Sequence, residues 1–286
     1  MIKTRKLRDL WYGLSSKQRF FVRRLYYWPV DMLDKVMGRT NKYVPPRGSI
    51  YTGSPSGAKK YLQQGQNQLQ LLKDCITLSP SDKVLDIGSG VGRTAIALST
   101  YINKEGSYDG FDVVKQGVDW CNNGLGMDFP NFKFKYVPIF NDLYNESKLK
   151  ATEFNFPYED DRFNKIFSFS LFTHMQKEEI QNYFFEIARV LKKEGLCFST
   201  FFLYNSENEE YIGEKPNFNF PHKEDDFRLM HKDVKSGNIA FHEDGLKTML
   251  SKANLECVKI IDGFWKDKIR DTSKKEYQDI VVFRLK

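Results

Sequence analysis

The residues with the clearest chemical potential are Asp86, Gly88, Gly90 and Gly92, in the run Val84-Leu85-Asp86-Ile87-Gly88-Ser89-Gly90-Val91-Gly92. Glycines directly after an apolar strand let a ligand approach the backbone closely. A helix that begins after them, at Arg93, offers N–H groups that have no partner within the helix. Together these suit a nucleotide-like ligand. A dinucleotide fingerprint would place its third glycine at position 93, where Arg93 stands, so the spacing is instead Asp-x-Gly-x-Gly-x-Gly. A carboxylate two residues before the first glycine opposes a pyrophosphate and suits a ligand end that carries an ammonium or sulfonium. The alternative reading is a purely structural glycine turn.

Other reactive side chains form no comparable pattern. The cysteines at 75, 121, 197 and 257 include no CxxC pair, and the histidines at 174, 222, 231 and 242 form no HExxH or other tight motif. This excludes a secreted disulfide framework and offers no metal site. The cysteines read as buried thiols of a reducing compartment.

A compact apolar strand over 83–87 and a helix over 93–101 must hold the glycine loop. Strands follow over 108–113, 132–139, 164–171 and 197–203, with a helix starting at 116–123 and an amphipathic helix over 177–192 that carries Ile180, Phe184, Ile187 and Leu191. A Gln-rich helix over 59–75 precedes them. After them come a helix over 243–253 and strands over 255–264 and 278–285, which are expected to pair antiparallel at the end of the sheet. Strands alternating with helices imply an α/β fold with a doubly wound, mostly parallel seven-stranded sheet. Residues 205–240 are polar and aromatic with little periodicity, and so long a connection suggests a substrate cap.

At 286 residues with 41% hydrophobic and 28% charged side chains, the chain fits one α/β domain plus an extension, and wholesale disorder is excluded. The net charge of +7 is local. Residues 1–47 carry twelve Lys or Arg against three Asp, a surplus of nine, which leaves the other 239 residues at −2. Leu7, Leu10, Trp11 and Leu14, then Phe21, Leu25 and Trp28 up to Pro29, then Val30, Leu33 and Met37, read as short basic amphipathic helices. Pro45-Pro46-Arg47-Gly48 marks the boundary, giving a basic N-terminal extension over 1–50 and the main domain over 51–286. No apolar stretch is long enough to span a bilayer and no signal-peptide core follows the basic start, so a cytoplasmic location is expected. The extension suits an anionic membrane surface, which would make the protein peripheral to the membrane. Its Trp11, Tyr12, Tyr26, Tyr27 and Trp28 among arginines keep nucleic acid as the weaker alternative, and a simple folding role is the third.

The loop, the strand order and the spacing to Asp112, twenty residues past Gly92, resemble the class I S-adenosylmethionine-dependent methyltransferases, over roughly residues 70–286. The resemblance implies a Rossmann-like methyltransferase fold and S-adenosyl-L-methionine as cofactor. It implies that Asp86, Gly88, Ser89, Gly90 and Gly92 wrap the methionine portion and that Asp112, with Val113 beside it, binds the ribose hydroxyls. A carboxylate suits that task because it accepts hydrogen bonds from both vicinal hydroxyls. The family's acidic residue after the third strand aligns with Pro138, so Asn141 or Asp142 is expected to take its place near the adenine. The backbone at Ser170 and Leu171 would face the cofactor, and Phe172 and His174 would border the methyl acceptor. His174 is the candidate general base, since an imidazole with a pKa of about 6.5 can take a proton from a hydroxyl acceptor; packing is its other reading. Arg93 either reaches a carboxylate or stays solvated. Phe218 and Phe220 either cap the acceptor or pack the insertion onto the sheet. The implied activity is methyl transfer to a small molecule, a lipid or a lipid-linked glycan. The Asn/Asp-Pro-Pro-Tyr signature of amino-methylating nucleic-acid enzymes is absent from the sequence, and an RNA-directed enzyme is the alternative.

Overall fold

The structure is a computed structural model that describes residues 13–53, 55–141, 145, 147–232, 234 and 236–286. Leu7, Leu10 and Trp11 of the expected first helix, and Tyr12 of the aromatic set, lie outside these residues. The chain enters through helix α1 (Ser16–Val36) and α2 (Ala58–Ile76), then alternates β1 (Lys83–Ile87), α3 (Arg93–Leu98), β2 (Ser107–Asp112), α4 (Lys115–Cys121), β3 (Phe132–Tyr136), β4 (Phe163–Ser168), α5 (Lys177–Val190) and β5 (Leu191–Phe201). The insertion contributes β6 (Leu203–Tyr204), α6 (Glu209–Glu214), β7 (His222–Lys223), β8 (Phe227–Leu229) and β9 (Ile239–His242). Helix α7 (Glu243–Lys252), β10 (Leu255–Ile261) and β11 (Asp279–Leu285) close the chain. The main sheet has seven strands in the order β10-β11-β5-β4-β1-β2-β3, and β6-β9-β8-β7 form a separate four-stranded sheet. The main sheet is parallel except at β11, which runs antiparallel to both β10 and β5.

The contacts divide the chain into two compact units. In the first, residues 1–71 with 89–148, β2 and β3 pair in parallel from Tyr108↔Phe132 to Asp112↔Tyr136. Tyr108 stacks on Phe132 with ring centroids 5.0 Å apart, and α4 turns Gly117, Val118 and Cys121 inward. The segment before α2 is tied to this unit by the Trp120 indole N–H, which donates to the Tyr43 carbonyl at 2.9 Å.

Helix α1 starts with a capping box between Ser15 and Gln18 and does not stop at Pro29, contrary to the sequence reading. A mid-helix proline removes one backbone bond and costs roughly 3 kcal/mol. The turns beyond it are held from outside: the Arg47 guanidinium bonds Asp31 at 2.8 Å and Asp34 at 2.5 Å. Two expected helices are therefore one.

In the second unit, residues 72–88 with 149–286, β1, β4 and β5 run parallel. Helix α5 buries Ile180, Tyr183, Phe184, Ile187 and Val190, and Phe172 stacks against Phe201 at 5.2 Å. The insertion packs around an aromatic centre that it shares with flanking segments, with Phe202, Tyr204, Ile212, Phe220, Ala240 and Trp265 as the buried set. Other differences from the sequence reading have local causes. Strand β3 ends at Tyr136 rather than 139 because Pro138 has no N–H to give a ladder. Strand β4 ends at Ser168 because Ser170 adopts φ +56°. Cys121 and Cys197 are buried, but Cys75 and Cys257 are only partly so.

Asp279 at the start of β11 is fully buried and gathers the ends of three segments. It accepts from the backbone N–H of Leu203 at 2.7 Å and of Gly263 at 2.8 Å, and from the Trp265 indole at 2.6 Å. The Lys266 ammonium lies 3.1 Å away and also pairs with Asp262 at 2.7 Å. Burial alone would push the Lys266 pKa down, but the two carboxylates outweigh it and hold the value above the ordinary one. Removing one member of such a network strands the others without water. Asp279→Ala is expected to cost about 3–5 kcal/mol in a urea unfolding titration; a cost below about 1 kcal/mol, the worth of an ordinary hydrogen bond, would show that the network carries no special weight.

Candidate functional site

The three glycines of the loop after β1 have φ of +82°, +58° and +80° at positions 88, 90 and 92. A side chain is strained there, and at Gly90 a Cβ would also come within 2.9 Å of the Thr52 methyl. In the first unit this geometry serves one carboxylate. The Gly90 N–H donates to Asp112 Oδ2 at 2.8 Å, and the Val114 N–H donates to Oδ1 at 2.8 Å. The Tyr51 hydroxyl donates to Oδ1 at the longer distance of 3.1 Å. Burial raises the Asp112 pKa above the ordinary carboxylate value, while the Val114, Gly90 and Tyr51 donors pull against it. Ser89 joins the same end of the sheet, donating its N–H to the Phe111 carbonyl at 3.0 Å. Its buried Oγ has no hydrogen-bond partner among the described residues.

Beyond β2, the Val113 carbonyl accepts from the Asn145 side-chain amide at 2.7 Å. Asn141 and Asn145 exchange backbone hydrogen bonds, each 2.8 Å. Asn141 is thus brought beside Val113 through Asn145; Asp142 lies outside the described residues. Among the described residues, Arg93 reaches no carboxylate. Its guanidinium donates to the Thr52 carbonyl at 2.7 Å and lies over the Tyr61 ring at 4.9 Å. Tyr51, Thr52 and Asn145 were not singled out from the sequence. They sit on a connecting segment and a turn whose residue types carry no spacing signal.

In the second unit, Asp86, the next-to-last residue of β1, has 4% of its surface exposed. A Cβ on Gly88 would come within 3.3 Å of Leu171 Cδ1, so Leu171 covers that glycine. Ser170 takes the left-handed conformation at the exit of β4, held by its N–H to Thr200 Oγ1 at 2.7 Å and its hydroxyl to Gln278 at 2.7 Å. Such a conformation persists only where its surroundings impose it. Phe172 is fully buried among Phe184, Phe201 and Tyr183, so its side chain belongs to the core. His174 lies at the end of the following 3-10 turn with Nδ1 3.0 Å from the Ser236 carbonyl. A carbonyl only accepts, so Nδ1 carries the proton and Nε2 is the basic nitrogen of the neutral ring. Phe220 is fully buried in the insertion's aromatic cluster, and Phe218 packs against it with partial exposure. The packing alternative describes Phe220.

Residues 84–195 match the family described as a methyltransferase domain. Among solved structures, the fold is similar to that of a protein from Pyrococcus horikoshii OT3, at 15% identity and a TM-score of 0.52, over 80% of this chain and 92% of that one. The CcbJ methyltransferase from Streptomyces caelestis matches at 14% identity and a TM-score of 0.50, over 78% of this chain and 89% of that one. The cyclase SpnF matches at 17% identity and a TM-score of 0.50, over 87% and 76%. At these identities the likeness is one of fold.

If Asp112 receives ligand hydroxyls, Asp112→Ala should weaken S-adenosylmethionine binding by about 1–3 kcal/mol in calorimetry, the worth of hydrogen bonds to a charged group; unchanged affinity would contradict the role. The raised pKa adds a pH signature. Binding should weaken as pH falls through that raised value and the carboxylate takes a proton, and Asp112→Asn should abolish the dependence. The sign for stability is opposite. Between the unfolded and folded values the folded state holds the extra proton, so the ligand-free protein loses stability as pH rises across that window.

Proposed function

We propose that this chain, which carries a class I S-adenosylmethionine-dependent methyltransferase domain and uses that cofactor for methyl transfer, directs the methyl group to a small molecule, a lipid or a lipid-linked glycan. The observation that carries the methyl-donor site is the buried Asp112 carboxylate bonded to the Gly90 N–H of the glycine loop. In this reading Asp112 takes the ribose hydroxyls, and the Tyr51 hydroxyl, whose 3.1 Å bond is longer than those from Gly90 and Val114, gives way to one of them. The buried Ser89 hydroxyl, which has no hydrogen-bond partner among the described residues, and the loop backbone at Gly88, Gly90 and Gly92 fit the methionine portion, with Asp86 as the countercharge. Asn141 lies toward the adenine. When bound, the cofactor supplies a methyl carbon on a sulfonium that an acceptor displaces directly, a step for which alignment and exclusion of water matter most.

His174 is the group proposed to take the acceptor proton, at Nε2, because the Ser236 carbonyl fixes the tautomer at Nδ1. Ser170 and Leu171, at the exit of β4, are proposed to line the cofactor with their backbone. Phe218, partly exposed at the edge of the insertion, is the aromatic left to meet an acceptor. RNA as acceptor is the weaker reading because the surplus of cations is confined to residues 1–47: residues 48–286, which hold the proposed site, sum to −2, whereas sequence-independent binding of RNA rests on Lys and Arg contacts to phosphate.

Incubating the intact protein with methyl-labelled cofactor and fractionated lysate tests the acceptor class. Label is expected in the lipid, glycan or small-molecule fractions; label confined to RNA would overturn the reading. With an acceptor in hand, His174→Ala should lower kcat by about a hundredfold or more, with cofactor affinity retained. A change within about threefold would leave His174 a packing residue, since general-base catalysis contributes far more.

A further inference from the structure

Helix α1 is built the reverse of an ordinary surface helix. Four of its charged side chains point toward the domain. Arg19 is 7% exposed, the Arg23 guanidinium bonds the Ile50 carbonyl, and Asp31 and Asp34 are tied to Arg47. Phe20 packs edge-on against Tyr51, but most of its large apolar side chains point away from the domain. Phe21, Leu25, Trp28, Met32 and Val36 recur at i, i+4, i+7, i+11 and i+15, which is one stripe of a helix. They are 62%, 60%, 63%, 40% and 82% exposed. Tyr26 and Leu33, also exposed, widen the stripe on one side. Lys17, Arg24 and Lys35, all exposed, run along the other. The acids of the helix, Asp31 and Asp34, both bond Arg47 and are largely covered, with 18% and 14% of their side chains exposed, so the fully exposed charges of the helix are basic.

We infer that α1 lies in the plane of an anionic phospholipid membrane, with the stripe from Phe21 to Val36 sunk among the lipids and Lys17, Arg24 and Lys35 at the headgroup phosphates. An apolar face of this size rimmed by cations is what interfacial helices present, and left in water it is a liability. Trp28 and Met32 also line a cavity of about 560 Å³ together with Arg24, Lys35, Arg39 and Arg47 against Asp31 and Asp34, a concavity with a surplus of cations suited to a phosphate-bearing headgroup. No helix among the described residues is long and apolar enough to cross the membrane, so the contact is superficial. A second copy fits less well, because two such helices would bring cationic rims together. RNA fits less well because Leu25, Met32 and Val36 offer bases no ring to stack on.

The test is vesicle sedimentation of the intact protein, which needs no acceptor and no activity. Binding is expected to phosphatidylcholine vesicles containing phosphatidylglycerol and not to pure phosphatidylcholine, with the Trp28 region shifting to bluer fluorescence. Replacing Leu25 and Trp28 together with Glu should weaken binding about tenfold or more, and so should replacing Lys17, Arg24 and Lys35 with Gln, since each cation near the surface contributes roughly fivefold. Both variants change solvent-facing positions, and unaltered thermal unfolding and S-adenosylmethionine binding would show that they fold. Failure of the wild-type protein to bind the anionic vesicles, or equal binding by the folded variants, overturns the inference. So does a dimer dissolved by the Leu25 and Trp28 replacements, or RNA binding lost with them, if vesicle binding is absent.

Discussion

The first unit is organised by a carboxylate that has little water to solvate it. Asp112 ends β2 with 7% of its surface exposed, and burial disfavours its charge. Backbone N–H groups compensate, from Gly90 on one side and Val114 on the other. For the Gly90 N–H to arrive there, the loop must pass through left-handed φ at positions 88, 90 and 92, which is why three glycines alternate with other residues. The same turn starts α3 and leaves Ser89 with a buried hydroxyl. One electrostatic requirement at a strand end therefore accounts for the loop sequence, the helix start and the Tyr51 contact that brings the N-terminal segment to the site.

The second unit solves its polar problem separately. Asp279, Trp265 and Lys266 close the space where β11, the loop after β10 and β6 meet, and the insertion folds around the aromatic cluster that includes Trp265. Residues 205–240 are thereby a small sheet packed around that shared centre rather than a loose connection. Ser170 and His174 sit on the short stretch between β4 and α5, where Thr200, Gln278 and Ser236 fix them from other segments.

Strong periodic signals were readable before the structure. The β1 limits, the amphipathic face of α5 and the antiparallel pairing of the last two strands follow from runs of apolar residues and from spacing. Readings failed where a distant group overrode a local rule. Pro29 reads as a stop, yet α1 continues because Arg47 holds Asp31 and Asp34 beyond it. The insertion has little periodicity because its strands are two to four residues long, too short to display alternation. At the site, the glycines and Asp112 stood out because their chemistry is tied to fixed spacing in the chain. Tyr51, Thr52 and Asn145 did not, because they reach Asp112, Arg93 and Val113 across 61, 41 and 32 residues. The inverted α1 face was half visible: the apolar spacing was evident, but which side would be covered depended on Ile50 and Arg47.

The central claim is that the glycine loop and Asp112 together form the binding place of a sulfonium nucleoside. Calorimetric titration of the intact protein with S-adenosylmethionine tests it most directly. Saturable binding with one ligand per chain is expected, with S-adenosylhomocysteine, which shares the ribose and adenine, competing for the same place. Absence of binding heat and of any thermal stabilisation at saturating ligand would contradict it.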